Sequence, residues 1–183
     1  MRKLFLGLII AANFAACTSS PSSDSDQKIA STIFVEQKVN EFIKANPDWA
    51  KDETIQKATT DKFKHAVINW SNEPNFLQDM PFQLKGLRDT LLNETNFKIA
   101  TFVGYNDNTR VSGSILNYIQ LQIDGIVPPD LEKDLTLSKN YTITGNLYKQ
   151  GKRGDVKYIS VADFKGYDLG KYLFSVTAVK PIK

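Results

Sequence analysis

The apolar period of this chain changes once, and that change constrains its fold more than any other feature. Between residues 28 and 72 apolar side chains recur every three to four positions, the period of a helix. From about residue 81 they alternate, the period of a strand. In the first stretch Ile29, Ile33, Val35, Val39, Phe42 and Ile43 approximate one stripe. Asn46-Pro47 ends it, because the residue before a proline avoids helical geometry. The same pair is expected to start a second helix, with Asn46 as cap and Pro47 in the first turn. Asp48, Asp52 and Glu53 would then face the positive helix end. Ile55, Ala58, Phe63, Ala66, Val67 and Trp70 keep the helical spacing until Asn72-Glu73-Pro74 stops it. Two helices sharing an apolar seam are expected.

The alternating half offers five or six strands. Phe82-Gln83-Leu84 opens one, and Phe97 to Gly104, Ile115 to Val127, Tyr141 to Lys149, Val156 to Asp163 and Tyr172 to Val179 supply the others. Ile115, Ile119, Leu121 and Ile123 share a parity that Asn117 interrupts, and Pro128-Pro129 ends the run. Pro129 to Leu135 is expected to form one short helix. The joints carry turn residues: Tyr105-Asn106-Asp107-Asn108, Gly151-Lys152-Arg153-Gly154 and Gly166-Tyr167-Asp168-Leu169-Gly170. Short joints between consecutive strands favour antiparallel pairing. The expectation is therefore α+β: a helical hairpin over 28–80, then an antiparallel β module over 81–183. That module is a five- to six-stranded sheet or a small barrel that resembles the oligonucleotide/oligosaccharide-binding (OB) fold.

Ahead of both lies a different segment. Met1-Arg2-Lys3 precedes an eleven-residue run, Leu4 to Phe14, apolar but for Asn13, and then Ala15-Ala16-Cys17. A charged start, a short apolar run and small residues are the parts of an export signal. The run is well short of the ~20 apolar residues a membrane span needs. Thr18 to Asp26 reads TSSPSSDSD, with no large apolar side chain to repay chain ordering, as in a solvated tether. Phe14-Ala15-Ala16-Cys17 resembles the lipobox of bacterial lipoproteins. The resemblance covers residues 1 to about 26 and implies that 1–16 are a removed signal peptide. It implies that Cys17 carries a diacylglyceryl thioether and an N-acyl chain such as palmitate, with residues 17–27 as lipidated tether. Phe14 departs from the aliphatic residue usual there. Thr18, where an acidic residue would favour retention at the inner membrane, points to the outer membrane. With Cys17 lipidated, the exported domain has no disulfide and relies on its core.

Loss of Arg2 and Lys3 would leave 21 Lys+Arg against 20 Asp+Glu, so the basic balance of the whole chain is partly a signal-peptide effect. Near neutrality and export both disfavour nucleic acid as a partner. Residues 28–95 carry a net −1 and residues 96–183 a net +4. No G-x-S-x-G, P-loop, G-x-G-x-x-G or H-E-x-x-H motif is present. His65, the only histidine, lies off the apolar stripe and reads as a surface side chain. Asp130, Glu132 and Asp134 alternate like the start of a calcium loop, but Leu135 and Tyr141 replace the required glycine and glutamate. They read as a solvated turn, and no metal or organic cofactor is expected. Arg153-Gly154-Asp155 matches an adhesion tripeptide, yet a hairpin tip wants the same residue types.

All seven tyrosines lie in the β half and both tryptophans in the helical half. Strand tyrosines suit a half-buried face. The sharper reading places a ligand site at Tyr148, Lys149, Lys152 and Arg153, where an exposed ring stands beside cations. The expected function is that of a lipid-anchored envelope protein with a non-catalytic binding or scaffolding role, its partner an envelope protein or a glycan. The alternatives are an accessory enzyme acting on carbohydrate and an oligonucleotide-binding module. Lipidation gives the first prediction. Intact-mass measurement of the wild type should show acylated Cys17 as the first residue, and Cys17→Ala should leave the protein uncleaved or release it from membranes.

Overall fold

A computed structural model describes residues 31–92, 94–105, 119–148, 155–161 and 164–182. Residues 1–30, with the expected signal segment, Cys17 and the expected tether, lie outside the described residues. Helix α1 (Phe34–Ala45) follows the expected stripe, and Phe34, Val35 and Val39 are buried on it. Helix α2 (Glu53–Trp70) starts later than the Asn46-Pro47 signal suggests. Residues 47–50 form a turn, and Asp52 caps the helix by accepting a hydrogen bond from the Ile55 amide at 2.9 Å. Asn46 instead closes α1, its side-chain amide donating to the Phe42 carbonyl at 2.8 Å. A carboxylate stabilises the positive helix end more than a carboxamide does, which favours Asp52 as the cap.

The strands are β1 (Pro81–Leu92), β2 (Thr95–Gly104), β3 (Ile119–Val127), β4 (Asn140–Leu147), β5 (Lys157–Val161) and β6 (Phe164–Pro181), with a short helix α3 (Pro129–Glu132) between β3 and β4. The sheet order is β3-β2-β1-β4-β6-β5, and β3 also pairs with β6. Strands β1, β2, β3, β6 and β4 therefore form a closed ring, while β5 extends it as a hairpin arm on β6. This is the α+β architecture with a small OB-like barrel. To the antiparallel ladders it adds one parallel one, β3 with β6.

Strand β6 is longer than alternation suggests. Gly166 to Gly170, which reads as a turn in the sequence, lies inside it. Gly170 takes φ 83°, a conformation glycine adopts without cost, and its amide is held by the Asp168 carboxylate at 2.8 Å. The register against β3 shifts between Gln120 and Gln122, so these residues form a bulge and not a reversal. Further register shifts occur in β1 between Leu84 and Gly86 and in β4 between Thr144 and Gly145. Bulges of this kind bend strands enough to close a small barrel.

Phe82, Leu84, Phe102, Leu121, Ile123, Phe174 and Val176 fill the barrel. Gly125 makes room for them: a Cβ there would stand 2.5 Å from Val176 Cγ2 and 3.3 Å from the Phe102 ring. The segment after α2 seals one end. Phe76, fully buried, packs on Tyr172 and Phe174 with ring centroids 5.5 and 6.1 Å away, and Met80 lies against Gly104. Helix α3 sits towards the opposite end of β2, where Lys98 bridges Asp89 (2.7 Å) and Glu132 (3.5 Å). Tyr141 clamps the following loop, its hydroxyl accepting from the Thr136 amide at 2.8 Å and donating to the Asp134 carbonyl at 3.2 Å.

The helices dock through aromatic rings. Phe63 of α2 stacks on Tyr167 of β6 with centroids 3.9 Å apart and meets Phe42 of α1 edge-on at 4.8 Å. Trp49 covers Tyr158 and Tyr167 at 5.8 and 5.3 Å. Trp70 packs against Phe63 at 5.6 Å but stays partly exposed. The helices thus spend their apolar faces on the barrel, and one contiguous core runs from Ile33 to Val176.

Two predictions follow from this packing. Phe63→Ala removes the ring shared by both helices and the barrel, and should cost about 3–5 kcal/mol in urea unfolding. The Tyr167 hydroxyl has its pKa pushed up from 10.0 to about 12, chiefly by burial. A raised folded value means the native state holds this proton more tightly. That stability is fully present below pH 10.0 and is lost as pH rises towards about 12. Absorbance titration of the folded protein should show a tyrosinate signal rising towards about pH 12 that is missing from Tyr167→Phe.

Candidate functional site

Outward-facing side chains of the barrel line up across strands because their registers are continuous. Tyr148, just after β4, donates its amide to the Leu173 carbonyl at 2.9 Å and so stands opposite Leu173. Leu173 pairs with Asp124 on β3, Asp124 with Thr101 on β2, and Thr101 with Gly86 on β1. At roughly 4.8 Å per strand, this row crosses five strands over about 19 Å. Lys171, Gln122 and Val103 form a neighbouring row.

The centre of this wall is a hydrogen-bonded hub. Asp124 Oδ1 accepts from the Thr101 hydroxyl at 3.0 Å and from Gln122 Nε2 at 3.1 Å. Asp124 Oδ2 accepts from the Arg88 guanidinium at 3.3 Å. The Asp124 side chain is 24% exposed and that of Arg88 58%. The carboxylate is thus spent on its neighbours and holds them in place. Arg88 retains further N–H donors, and the Gln122 carboxamide retains a donor and an acceptor. These are positioned groups able to bond a polar ligand. Beside them Ile99 and Ile126, paired across β2 and β3, are nearly buried. At the other end Tyr148 is 44% exposed and Leu173 36%.

Of the residues singled out from sequence, Tyr148 falls on this wall. Lys149, Lys152 and Arg153 lie outside the described residues, as does Cys17. Arg88, Thr101, Gln122 and Asp124 carry no motif and escape a motif search. One trace was present: Gln120, Gln122 and Asp124 occupy the parity opposite Ile119, Leu121 and Ile123. His65 is exposed on α2. Asp155 pairs with Lys157 at 2.8 Å, and that hydrogen bond holds its carboxyl below the usual carboxylate range. Glu132 is engaged with Lys98, and Asp130 lies in the first turn of α3. Among the described residues no group of three or more His, Cys, Asp or Glu is placed to hold a metal ion. No helix among them is long and apolar enough to cross a membrane.

A cleft of about 330 Å³ lies elsewhere, between the segment after α2 and the β4–β6 bulge. Asn75, Gln78, Asp79, Thr144 and Lys180 surround it. Among the described residues Asp79 and Lys180 form no ion pair, so nothing fixes their side chains as Asp124 fixes its neighbours. Preorganisation separates the two surfaces and favours the wall. Comparison with protein-family models, with curated proteins and with solved structures finds no match.

Asp124→Ala should disconnect Arg88, Thr101 and Gln122 at once. Because the hub is partly exposed, we expect a loss of about 1–2 kcal/mol in thermal or urea unfolding, with the fold retained.

Proposed function

We propose that this chain is a lipid-anchored envelope protein with a non-catalytic binding role. Its ligand lies along the outer wall from Tyr148 to Arg88, and the anchor is Cys17. The row Tyr148–Leu173–Asp124–Thr101, ordered at its centre by the Asp124 hub, is the observation that carries this reading. The chemistry favours a hydroxyl-rich ligand such as an envelope glycan. Planar carboxamide and guanidinium groups bond hydroxyls in two directions, while a tyrosine ring offers an apolar face to a sugar. Single-stranded nucleic acid suits the wall less well. Its bases need aromatic platforms, and the outward positions from Ile99 to Val103 and from Gln120 to Ile126 carry no aromatic ring. Asp124 would also repel phosphate. A short tether would present this wall to polymers of the envelope.

Binding of the full chain to a glycan array and to oligonucleotides, measured at two salt concentrations, tests the proposal. Tyr148→Ala and Arg88→Ala should each weaken glycan binding at least tenfold without lowering Tm by more than a few degrees. Raising salt should change that affinity little, since the contacts are hydrogen bonds and ring packing. Glycan binding unaffected by both substitutions would remove the wall as the site. Oligonucleotide binding that falls steeply with salt would replace the glycan reading.

A further inference from the structure

Three hydroxyl oxygens at the seam between α2 and the barrel are sealed from solvent and have no full hydrogen bond among the described residues: Thr60 Oγ1, Tyr158 Oη and Tyr167 Oη. They come from α2, β5 and β6, whose side chains meet at this seam. Tyr158 and Tyr167 stand opposite each other in the β5–β6 ladder, with ring centroids 6.1 Å apart and edge-on. Phe63 stacks on Tyr167, and Thr60 precedes Phe63 by three residues, on the same helix face. Thr60 and Tyr158 are also the two side chains that act on the ionisation of the Tyr167 hydroxyl, Thr60 by hydrogen bonding, which lowers its pKa, and Tyr158 by charge, which raises it. Thr60 and Tyr167 are thus within reach of each other, but their hydroxyls meet without the distance and angles of a full hydrogen bond.

A buried hydroxyl without a partner carries the full cost of leaving water, so protein interiors pair such groups or hydrate them. Three at one seam is a large burden for a joint that ring packing must also hold. A buried water commonly makes about three hydrogen bonds to such groups. Each hydroxyl here can donate one and accept one, so three hydroxyls at one seam can match its needs. Trp49 lies over both tyrosine rings and Phe63 against Tyr167, giving the place apolar walls. We propose that Thr60, Tyr158 and Tyr167 together hold one buried water, a polar link between the helices and the β5–β6 arm.

The test uses the full chain carrying Thr60→Val, Tyr158→Phe or Tyr167→Phe, singly and all together, with far-UV circular dichroism to confirm the fold. Each single substitution strands the water and its remaining partners, and should lower Tm by ~2–4 °C. The triple variant needs no water, so its loss should be smaller than the sum of the singles. A single substitution that raises Tm would show a hydroxyl with no partner to lose, and would overturn the proposal. Equal losses for Thr60→Val and Tyr167→Phe with none for Tyr158→Phe would assign a direct Thr60–Tyr167 bond instead. A crystal structure should show a solvent peak within hydrogen-bond distance of all three oxygens. An empty site or a direct contact there would overturn the proposal whatever the melts show.

Discussion

The parallel ladder between β3 and β6 is the pairing on which the rest of the architecture depends. It runs from Ile119–Tyr167 to Ile126–Ser175 and turns an open sheet into a ring. Closure satisfies two strand edges at once, and exposed edges are a liability in any sheet. It also gives every strand of the ring an inside and an outside. Ile123, Tyr172, Phe102 and Phe174 point to a shared interior, and Asp124, Leu173 and Thr101 to a shared exterior. Core and wall are two sides of one set of registers. A slip of one residue in β3 would exchange them.

Strand β6 makes this possible by serving three partners: β5 with its first residues, β3 through its middle, and β4 towards its end. No straight strand could do so. The bulge at Leu169-Gly170 inserts one residue and keeps Tyr167 and Leu169 on the same side as Tyr172 and Phe174. That continuity is what the helices use. Tyr167 belongs to the face that fills the barrel, but lies beyond the filled part, where Phe63 and Trp49 cover it. The N-terminal helices therefore complete the core. The price of this aromatic seam is a set of tyrosine hydroxyls drawn out of water together with their rings.

On the outer wall the same registers bring together side chains that are far apart in sequence. Arg88, Thr101, Gln122 and Asp124 span three strands, and Asp124 receives hydrogen bonds from the other three. One carboxylate fixing a guanidinium, a hydroxyl and a carboxamide lowers the entropy cost of engaging them. Such an arrangement suits recognition through many moderate contacts, the reading proposed for this protein. The conformation of Tyr148 fits the same logic: its backbone is tied to β6 while its ring stays exposed.

The order of helices and strands, and part of the core on α1, α2 and β3, were legible in the sequence because burial imposes a period on each element, whereas Phe76, Met80, Tyr167 and Leu169 entered the core from segments without that period. Phe63 and Val67 on α2, and Leu121 and Ile123 on β3, lie buried where that period places them. Local signals misled where two of them competed. Asn46-Pro47 resembled a helix start, but the stronger cap, Asp52, stood six residues on. Gly166 and Gly170 resembled a turn, because a glycine supplies positive φ equally to a turn and to a bulge. Only pairing with β3 distinguishes the two. The Asp124 hub was beyond the reach of sequence for a related reason. Its members sit at positions 88, 101, 122 and 124, and their proximity arises from strand registers that no local pattern encodes. The sequence by itself determined which face the periodic segments would bury, since hydrophobic period is a local property. Tertiary structure decided which polar groups would meet, since that depends on how the ring of strands closes.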